Sequence, residues 1–251
     1  MVREKLLLLC RTYPDFSQKY YYRICMAGIT ESGELRRIFP IPIRFYLKNI
    51  NFFKNYNWIV YERKGKGDHR KESYKIDFKS IRIVEPASPQ EICQLINERL
   101  TSLEELSELK NQENISLGFI KPKIKKSIID KSENRKDKKA NLDSQLTLFG
   151  GRIGEYYVPY VVKFSFSCLN SPSCSGHNIM CEDINFWYFF KEKLEKKDSI
   201  EAIKKDFNDK FLNWILNDKD LVFMMGTHYL FKTWLIISII SPIAISEKRF
   251  I

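Results

Sequence analysis

The chain lacks the compact signatures by which nucleotide binding or catalysis is most often recognised. No Walker-type phosphate loop occurs, no Gly-x-Gly-x-x-Gly fingerprint, no His-Glu-x-x-His helix and no Gly-x-Ser-x-Gly elbow. P-loop NTPases, dinucleotide enzymes of the Rossmann type, zincins and α/β-hydrolases are set aside on that ground; an active site dispersed over the fold is not. A membrane span is also missing. The most apolar stretch, Trp234 to Ile245, is broken by Ser238, Ser241 and Pro242, well short of the ~20 apolar residues a bilayer needs. The leucine run Leu6–Leu9 is too short for the hydrophobic part of a secretory signal, and Tyr13-Pro14-Asp15 ends it. These absences predict a soluble, cytoplasmic protein without a membrane partner. In that compartment its six cysteines are expected as thiols.

What is present is apolar and basic. Hydrophobic residues make up 44% of the chain and aromatics 14%, which excludes global disorder. The net charge of +11 is unevenly spread: +9 falls on residues 1–88, −4 on 89–118, +5 on 119–144 and only +1 on 145–251. A field concentrated in this way suits a polyanion, because each phosphate neutralised releases condensed counterions. DNA or RNA is therefore the partner expected for the N-terminal half, the alternative being a merely solubilising surface. The cations expected to carry the contact are Arg23, Arg36, Arg37, Arg44, Lys64, Lys66, Arg70 and Lys71. The last four lie in or beside the glycine-bearing loop Gly65-Lys66-Gly67-Asp68-His69-Arg70-Lys71-Glu72. Glycines there let backbone approach a phosphate. Tyr20, Tyr21, Tyr22, Phe45, Tyr46, Tyr61 and Tyr74 are candidates for base stacking, although alternation sends at least half of them into a core.

The pattern along the chain is β-rich. Runs at Lys5–Cys10, Tyr20–Ala27, Leu35–Pro40, Trp58–Arg63 and Ser80–Val84 read as strands, with a turn at Glu31-Ser32-Gly33-Glu34 and a short helix at Ile43–Phe53. Five strands with a helix after the third is the layout of an OB-fold barrel. The sequences Ser88-Pro89-Gln90-Glu91 and Ser102-Leu103-Glu104-Glu105 are capping boxes that open two acidic helices. Ser116–Ile129 returns to strand-like alternation, and Asp130–Asp143 is a charged loop. Beyond it come a strand at Tyr156–Ser167, helices at Asn185–Leu194 and Ser199–Leu216, and an antiparallel pair at Leu221–Gly226 and Thr233–Ile240. The expected fold is α+β and β-rich, with two small OB-like barrels and connecting helices. The expected domains are 1–118 (basic barrel plus acidic helices), 119–144 (strand and charged linker) and 145–251 (second β-rich unit).

Two constellations carry possible chemistry. Cys168, Cys174, His177 and Cys181 place three thiols and an imidazole in fourteen residues, with Pro172 and Gly176 supplying turns. Thiolate and imidazole are the donors zinc prefers. The spacing fits no standard finger, so core packing, an inert turn or a nucleophilic Cys/His pair stand as alternatives. Asp68, Glu72 and Lys75 allow a carboxylate–lysine nuclease in principle, against the simpler reading of a solvated loop.

The block Cys25-Met-Ala-Gly-Ile-Thr-Glu-Ser-Gly-Glu-Leu-Arg-Arg-Ile-Phe-Pro-Ile-Pro-Ile-Arg44 resembles a group of uncharacterised prokaryotic proteins. There a Cys-x-Ala-Gly strand, a turn and an Arg-x-x-Pro strand precede a Trp-Ile strand like Trp58-Ile59. Asp68–Lys75, Ser116–Lys123 and Cys168–Asp183 are similar to the same group. The resemblance implies a dual OB-like architecture and no established activity. Where the group has an acidic residue two positions after Asp183, this chain has Asn185, so a metal-dependent active site there would lack a carboxylate. Separately, Gln145-Leu146-Thr147-Leu148-Phe149 resembles the peptide with which bacterial repair proteins dock on the sliding clamp. Leu146, Leu148 and Phe149 would be anchors and Gln145 the orienting group, unless the segment simply rejoins the core as a strand.

These observations lead to the expectation of a nucleic-acid-binding accessory protein in DNA maintenance or anti-phage defence, docking to a larger complex. No catalytic residue is assigned. The rival readings are a metal-dependent nuclease or nucleotide-processing enzyme, and a scaffold subunit whose basic face meets an acidic protein.

Overall fold

The computed structural model describes residues 2–17, 21–131 and 156–241. Its first sheet is built on β1 (Val2–Arg11), which pairs with two strands at once. Leu6–Arg11 lie against β3 (Tyr21–Thr30) and Val2–Leu7 against β5 (Asn57–Lys66). The remaining neighbours are β4 (Leu35–Pro42) and β6 (Ser73–Pro86), so the strands close into a ring in the order β1-β5-β6-β4-β3. β4 and β6 run parallel; every other pair in the ring is antiparallel. A short β2 (Asp15–Ser17) adds to β3 outside the ring. Helix α1 (Ile43–Lys48), continued by a 3-10 turn at Ile50–Phe53, connects the third ring strand to the fourth. This is OB-fold connectivity, as the strand pattern predicts.

The second sheet has the order β7-β8-β12-β13-β11-β10-β9. Its strands are β7 (Leu100–Thr101), β8 (Leu117–Ile120), β9 (Pro122–Lys131), β10 (Tyr160–Cys168), β11 (His177–Cys181), β12 (Val222–Thr227) and β13 (Trp234–Ile240). Lys121 alone separates β8 from β9. β8 pairs with β12 and β9 with β10, so 117–131 acts as one bent strand with the double role of β1. β11 and β13 run parallel, as does the short β7 against β8 at the sheet's edge, and the helices between β11 and β12 fall where α1 falls in the first ring. The two halves thus repeat one topology without a repeat visible in the sequence.

The helices follow local rules. α2 (Pro89–Asn97) and α3 (Leu103–Glu113) start at Ser88 and Ser102, whose hydroxyls accept from Glu91 N and Glu105 N at 3.1 and 3.2 Å. α4 (Ile184–Glu195) is capped by Asp183. The apolar stripe read as one helix from Ser199 to Leu216 is interrupted: α5 (Ile200–Phe207) passes through a π-helical turn at Asn208–Leu212 into α6 (Asn213–Asn217). The wider turn lets Phe207 and Phe211 both reach Phe186, at centroid distances of 4.9 and 5.1 Å.

The leucine run of β1 explains how the rings meet. Alternate side chains of a strand face opposite ways, yet every residue from Leu6 to Cys10 is buried. Leu6 and Leu8 fill the ring interior with Ile24, Met26, Ile38 and Ile59. Leu7, Leu9 and Cys10 face outward and pack with Leu117, Phe119, Met224, Leu235 and Ile237 of the second sheet, where Ile92 and Ile96 of α2 join them. β12 and β13 are buried on both faces for the same reason. Each outward leucine so covered contributes about 1.5–3 kcal/mol.

A polar knot closes one end of this layer. The buried Glu72 carboxylate accepts from Ser116 N (2.8 Å), Ser116 Oγ (2.8 Å) and Leu117 N (3.2 Å). Ser116 O in turn accepts from Arg37 Nη2 at 3.1 Å and Thr227 N at 3.0 Å. Glu72→Ala strands these donors, and buried donors without a partner cost about 1–3 kcal/mol each before relaxation. Urea unfolding is expected to show a loss of about 3 kcal/mol; a loss below about 0.5 kcal/mol would remove Glu72 from the junction.

Candidate functional site

Between the rings lies a cleft of about 1260 Å³. The first half contributes the segment after β1, the starts of β3 and β4, and the loop from Gly67 to Arg70; the second contributes β9, β10 and the β12–β13 turn. The β5–β6 loop and the β12–β13 turn are topologically equivalent, each joining the fourth strand of its ring to the fifth. Such loops are a common site of oligonucleotide contact in OB folds. Here they touch. Arg70 Nη1 donates to Thr227 O at 2.8 Å, and the His69 and Tyr229 rings lie 5.9 Å apart.

The β12–β13 turn is ordered from within. His228 N donates to Thr233 O at 2.8 Å, while His228 Nδ1 accepts from Leu230 N and Phe231 N at 3.1 and 3.2 Å. The His228 ring stacks on Phe231 at 4.8 Å. A turn braced in this way holds apolar side chains out into solvent: Tyr229 is 48% exposed, Leu230 69% and Phe231 73%. Tyr229 and Phe231 line the cleft mouth, and the Arg70 guanidinium sits 5.8 Å from the Tyr229 ring centre. Deeper in, Phe16, Phe39, Tyr156 and Tyr157 supply further partly buried ring surface.

The expected cations divide sharply. Arg23, Arg37 and Arg70 line the cleft; Arg36, Arg44, Lys64, Lys66 and Lys71 do not. Arg37 is buried and donates to Ser116 O, and Arg23 lies over the Phe39 ring at 5.8 Å. Arg36 is buried against Glu4 and Glu34. With Arg63 and Lys66 it surrounds the Tyr74 ring, at centroid distances of 4.6, 4.4 and 4.4 Å. Lys71 pairs with Glu113 and Lys64 with Asp77, both at the surface; Arg44 is exposed on α1. The cleft adds Lys75, Lys131 and Lys163, of which Lys163 pairs with Asp130. Among the aromatic candidates, Tyr22, Tyr46 and Tyr61 are buried, and Phe45 and Tyr74 half-buried. Tyr20 and the clamp-type peptide with Gln145, Leu146, Leu148 and Phe149 lie outside the described residues.

The carboxylates read as possible catalysts are engaged in structure. Asp68 forms a two-point ion pair with Arg70, Oδ1 to Nε at 3.0 Å and Oδ2 to Nη2 at 2.6 Å, and Glu72 is the junction acceptor described above. Asp183 is buried; its Oδ1 caps Asn185 N at 2.9 Å while Oδ2 accepts from Ile239 N and Ser238 Oγ at 2.9 and 3.1 Å. Burial pushes its carboxyl up despite those donors. Asn185, the residue in place of an acid, uses its side-chain amide to support the same cap.

The thiol group is rearranged relative to its expected membership. Cys168, Cys174 and His177 come together, and Glu104 of α3 joins them, with one donor atom from each within 4.8 Å of the others. Cys181 lies apart. It sits in β11 opposite Val162, and burial pushes its thiol far up, with Asp183 adding to the effect. Strand alternation turned it into the core instead of the loop.

Glu104 and the Tyr229–Phe231 turn escaped the sequence reading. Glu104 carried only the signature of a first-turn helix acid, and its partners lie more than sixty positions away. The turn did carry a signal: Tyr-Leu-Phe between two strands, where polar turn residues are the rule.

The chain belongs to the domain of unknown function family DUF8757, whose model matches residues 99–250, and residues 2–102 match a second domain of unknown function, DUF8758. No curated protein matches. Several solved structures resemble it weakly. One is a murine DNA binding protein bound with ds DNA (9% identity, 73% of this chain and 75% of that one, TM-score 0.32). Another is a deletion mutant of the single-stranded DNA binding protein from Thermus aquaticus (9% identity, 96% and 92%, TM-score 0.19). At such TM-scores the architecture rests on the strand pairings alone.

The Asp68–Arg70 pair that sets the loop geometry gives a pH prediction. Burial raises the Asp68 carboxyl, but hydrogen bonds from the Arg70 side chain and backbone outweigh it and hold the group below the ordinary aspartate value. A depressed carboxyl stabilises the fold above its unfolded pKa, and the contribution disappears as pH falls through the folded one. Asp68→Asn is expected to cost about 3 kcal/mol near neutrality. The gap to the parent chain should close as pH drops below about 4, read by urea unfolding across pH. A gap independent of pH would contradict the ion-pair origin.

Proposed function

We propose that the protein binds single-stranded nucleic acid in the cleft between its two rings. The observation that carries this reading is the meeting of two equivalent loops at the cleft mouth, one ending in Arg70 and the other presenting Tyr229 and Phe231 to solvent. Exposed rings held by a braced turn offer stacking platforms, and every base has a face to stack. Unpaired bases satisfy them; paired bases keep their faces inside the duplex. Phosphate contact falls to Arg23, Lys75 and Lys131 along the cleft wall, with Arg44 and Lys64 exposed outside it. Arg36, Arg37 and Arg70 shape the loops and polarise the surface from buried positions. The +9 balance of residues 1–88 supplies the long-range attraction. The thiol–imidazole group lies apart from this surface and takes no part in the binding.

A labelled thymidine oligonucleotide of about 20 nucleotides, titrated by fluorescence anisotropy, is expected to bind more tightly than a duplex of equal length. With three or four phosphates neutralised, log K should fall against log salt with a slope of about −2 to −3. Tyr229→Ala and Phe231→Ala should each weaken binding by roughly 5- to 150-fold, the equivalent of about 1–3 kcal/mol per stacked base, at unchanged stability. Equal affinity for parent and both variants, or no binding at low salt, would overturn the proposal.

A further inference from the structure

We propose that Glu104, Cys168, Cys174 and His177 form a four-ligand zinc site that fastens α3, the second of the two helices between the rings, to the β10–β11 loop. Each ligand comes from a different point of this corner. Glu104 lies in the first turn of α3, Cys168 ends β10, Cys174 sits in the loop and His177 begins β11. His177 Nε2 lies 3.2 Å from Cys174 Sγ and 3.0 Å from Glu104 Oε1. The four donor atoms are mutually within 4.8 Å. A tetrahedral site with Zn–S and Zn–N distances of about 2.3 and 2.0 Å has edges of roughly 3.3–3.8 Å, so adjustments of about an ångström admit the ion.

The surroundings favour a cation over a bare ion pair. Glu104 Oε2 is buried and has no hydrogen-bond partner. Both sulfurs receive backbone N–H groups, Leu103 N to Cys168 Sγ at 3.4 Å and Cys168 N to Cys174 Sγ at 3.3 Å. Donors aimed at sulfur are the outer-shell contacts that orient a metal-bound sulfur. Ser171 N donates to Cys168 O and Cys174 N to Ser171 O, so the loop's own turns bring the second thiol back over the first. Gly176, at φ +101°, takes a left-handed conformation that returns His177 to the same point. Two thiolates, an imidazole and a carboxylate are a borderline-soft donor set that selects zinc over magnesium or calcium. With all four positions supplied by the protein, the site is closed and structural.

The test uses the full chain purified reduced and without chelators. Elemental analysis is expected to find one zinc per chain, and cobalt replacement to give the visible spectrum of a tetrahedral, thiolate-ligated ion. Chelator competition should show Cys174→Ser and Glu104→Gln weakened by more than the roughly 10–100-fold typical of losing an outer-shell partner. Cys181→Ser should keep parental affinity. A reduced parent chain that holds no zinc and takes up no cobalt overturns the site, and this readout does not depend on how any variant folds. Parental affinity in Cys174→Ser or Glu104→Gln, or loss of metal in Cys181→Ser, overturns the ligand assignment.

Discussion

The outward face of β1 is the constraint on which the remaining architecture depends. Leu7, Leu9 and Cys10 leave their own ring and are covered by Leu117, Phe119, Met224 and Leu235. A ring with this strand exposed would present a continuous apolar stripe to water. Covering it places β1 against β12 and β13, and that contact fixes which loops end up side by side. Cys10 Sγ donating to Ile237 O at 3.2 Å and the bridge between Thr12 and Asp183 show how closely the backbones approach. The Arg37–Glu72–Ser116–Thr227 knot then sets the register at the cleft end, where a slip would leave buried charges unpartnered.

From this packing follows the form of the cleft. Each half repeats the same circuit, with a doubly paired first strand, a parallel third and fifth, and helices before the fourth. Because the halves meet through the strands next to their fourth-to-fifth loops, the two loops converge on one mouth. One is basic and braced by Asp68; the other is aromatic and braced by His228. The division of labour between charge and ring surface is what a single-stranded polyanion with stackable bases requires.

The sequence was most legible where the physics is local. Ser88 and Ser102 announced two helices because a capping box needs only neighbouring residues, and the strand positions of the first ring followed from period-2 alternation. It was least legible where a side chain's partner lies far along the chain. Arg36 and Arg70 look in sequence like free cations, yet Glu4, Glu34, Asp68 and the Thr227 carbonyl engage them in the fold. Cys181 was grouped with Cys174 by proximity in sequence, whereas alternation along β11 turns it inward and leaves the fourth position to Glu104. β11 itself was hidden, since a strand running from His177 to Cys181 reads first as a pair of ligands.

Binding in the cleft, as proposed, requires both loops to belong to one surface. Hydrogen–deuterium exchange of the chain with and without a thymidine oligonucleotide tests it most directly. Protection is expected to rise together in residues 65–72 and 227–233, with α5 unchanged. Protection confined to one of the two loops, or falling only on surfaces away from the cleft, would contradict it.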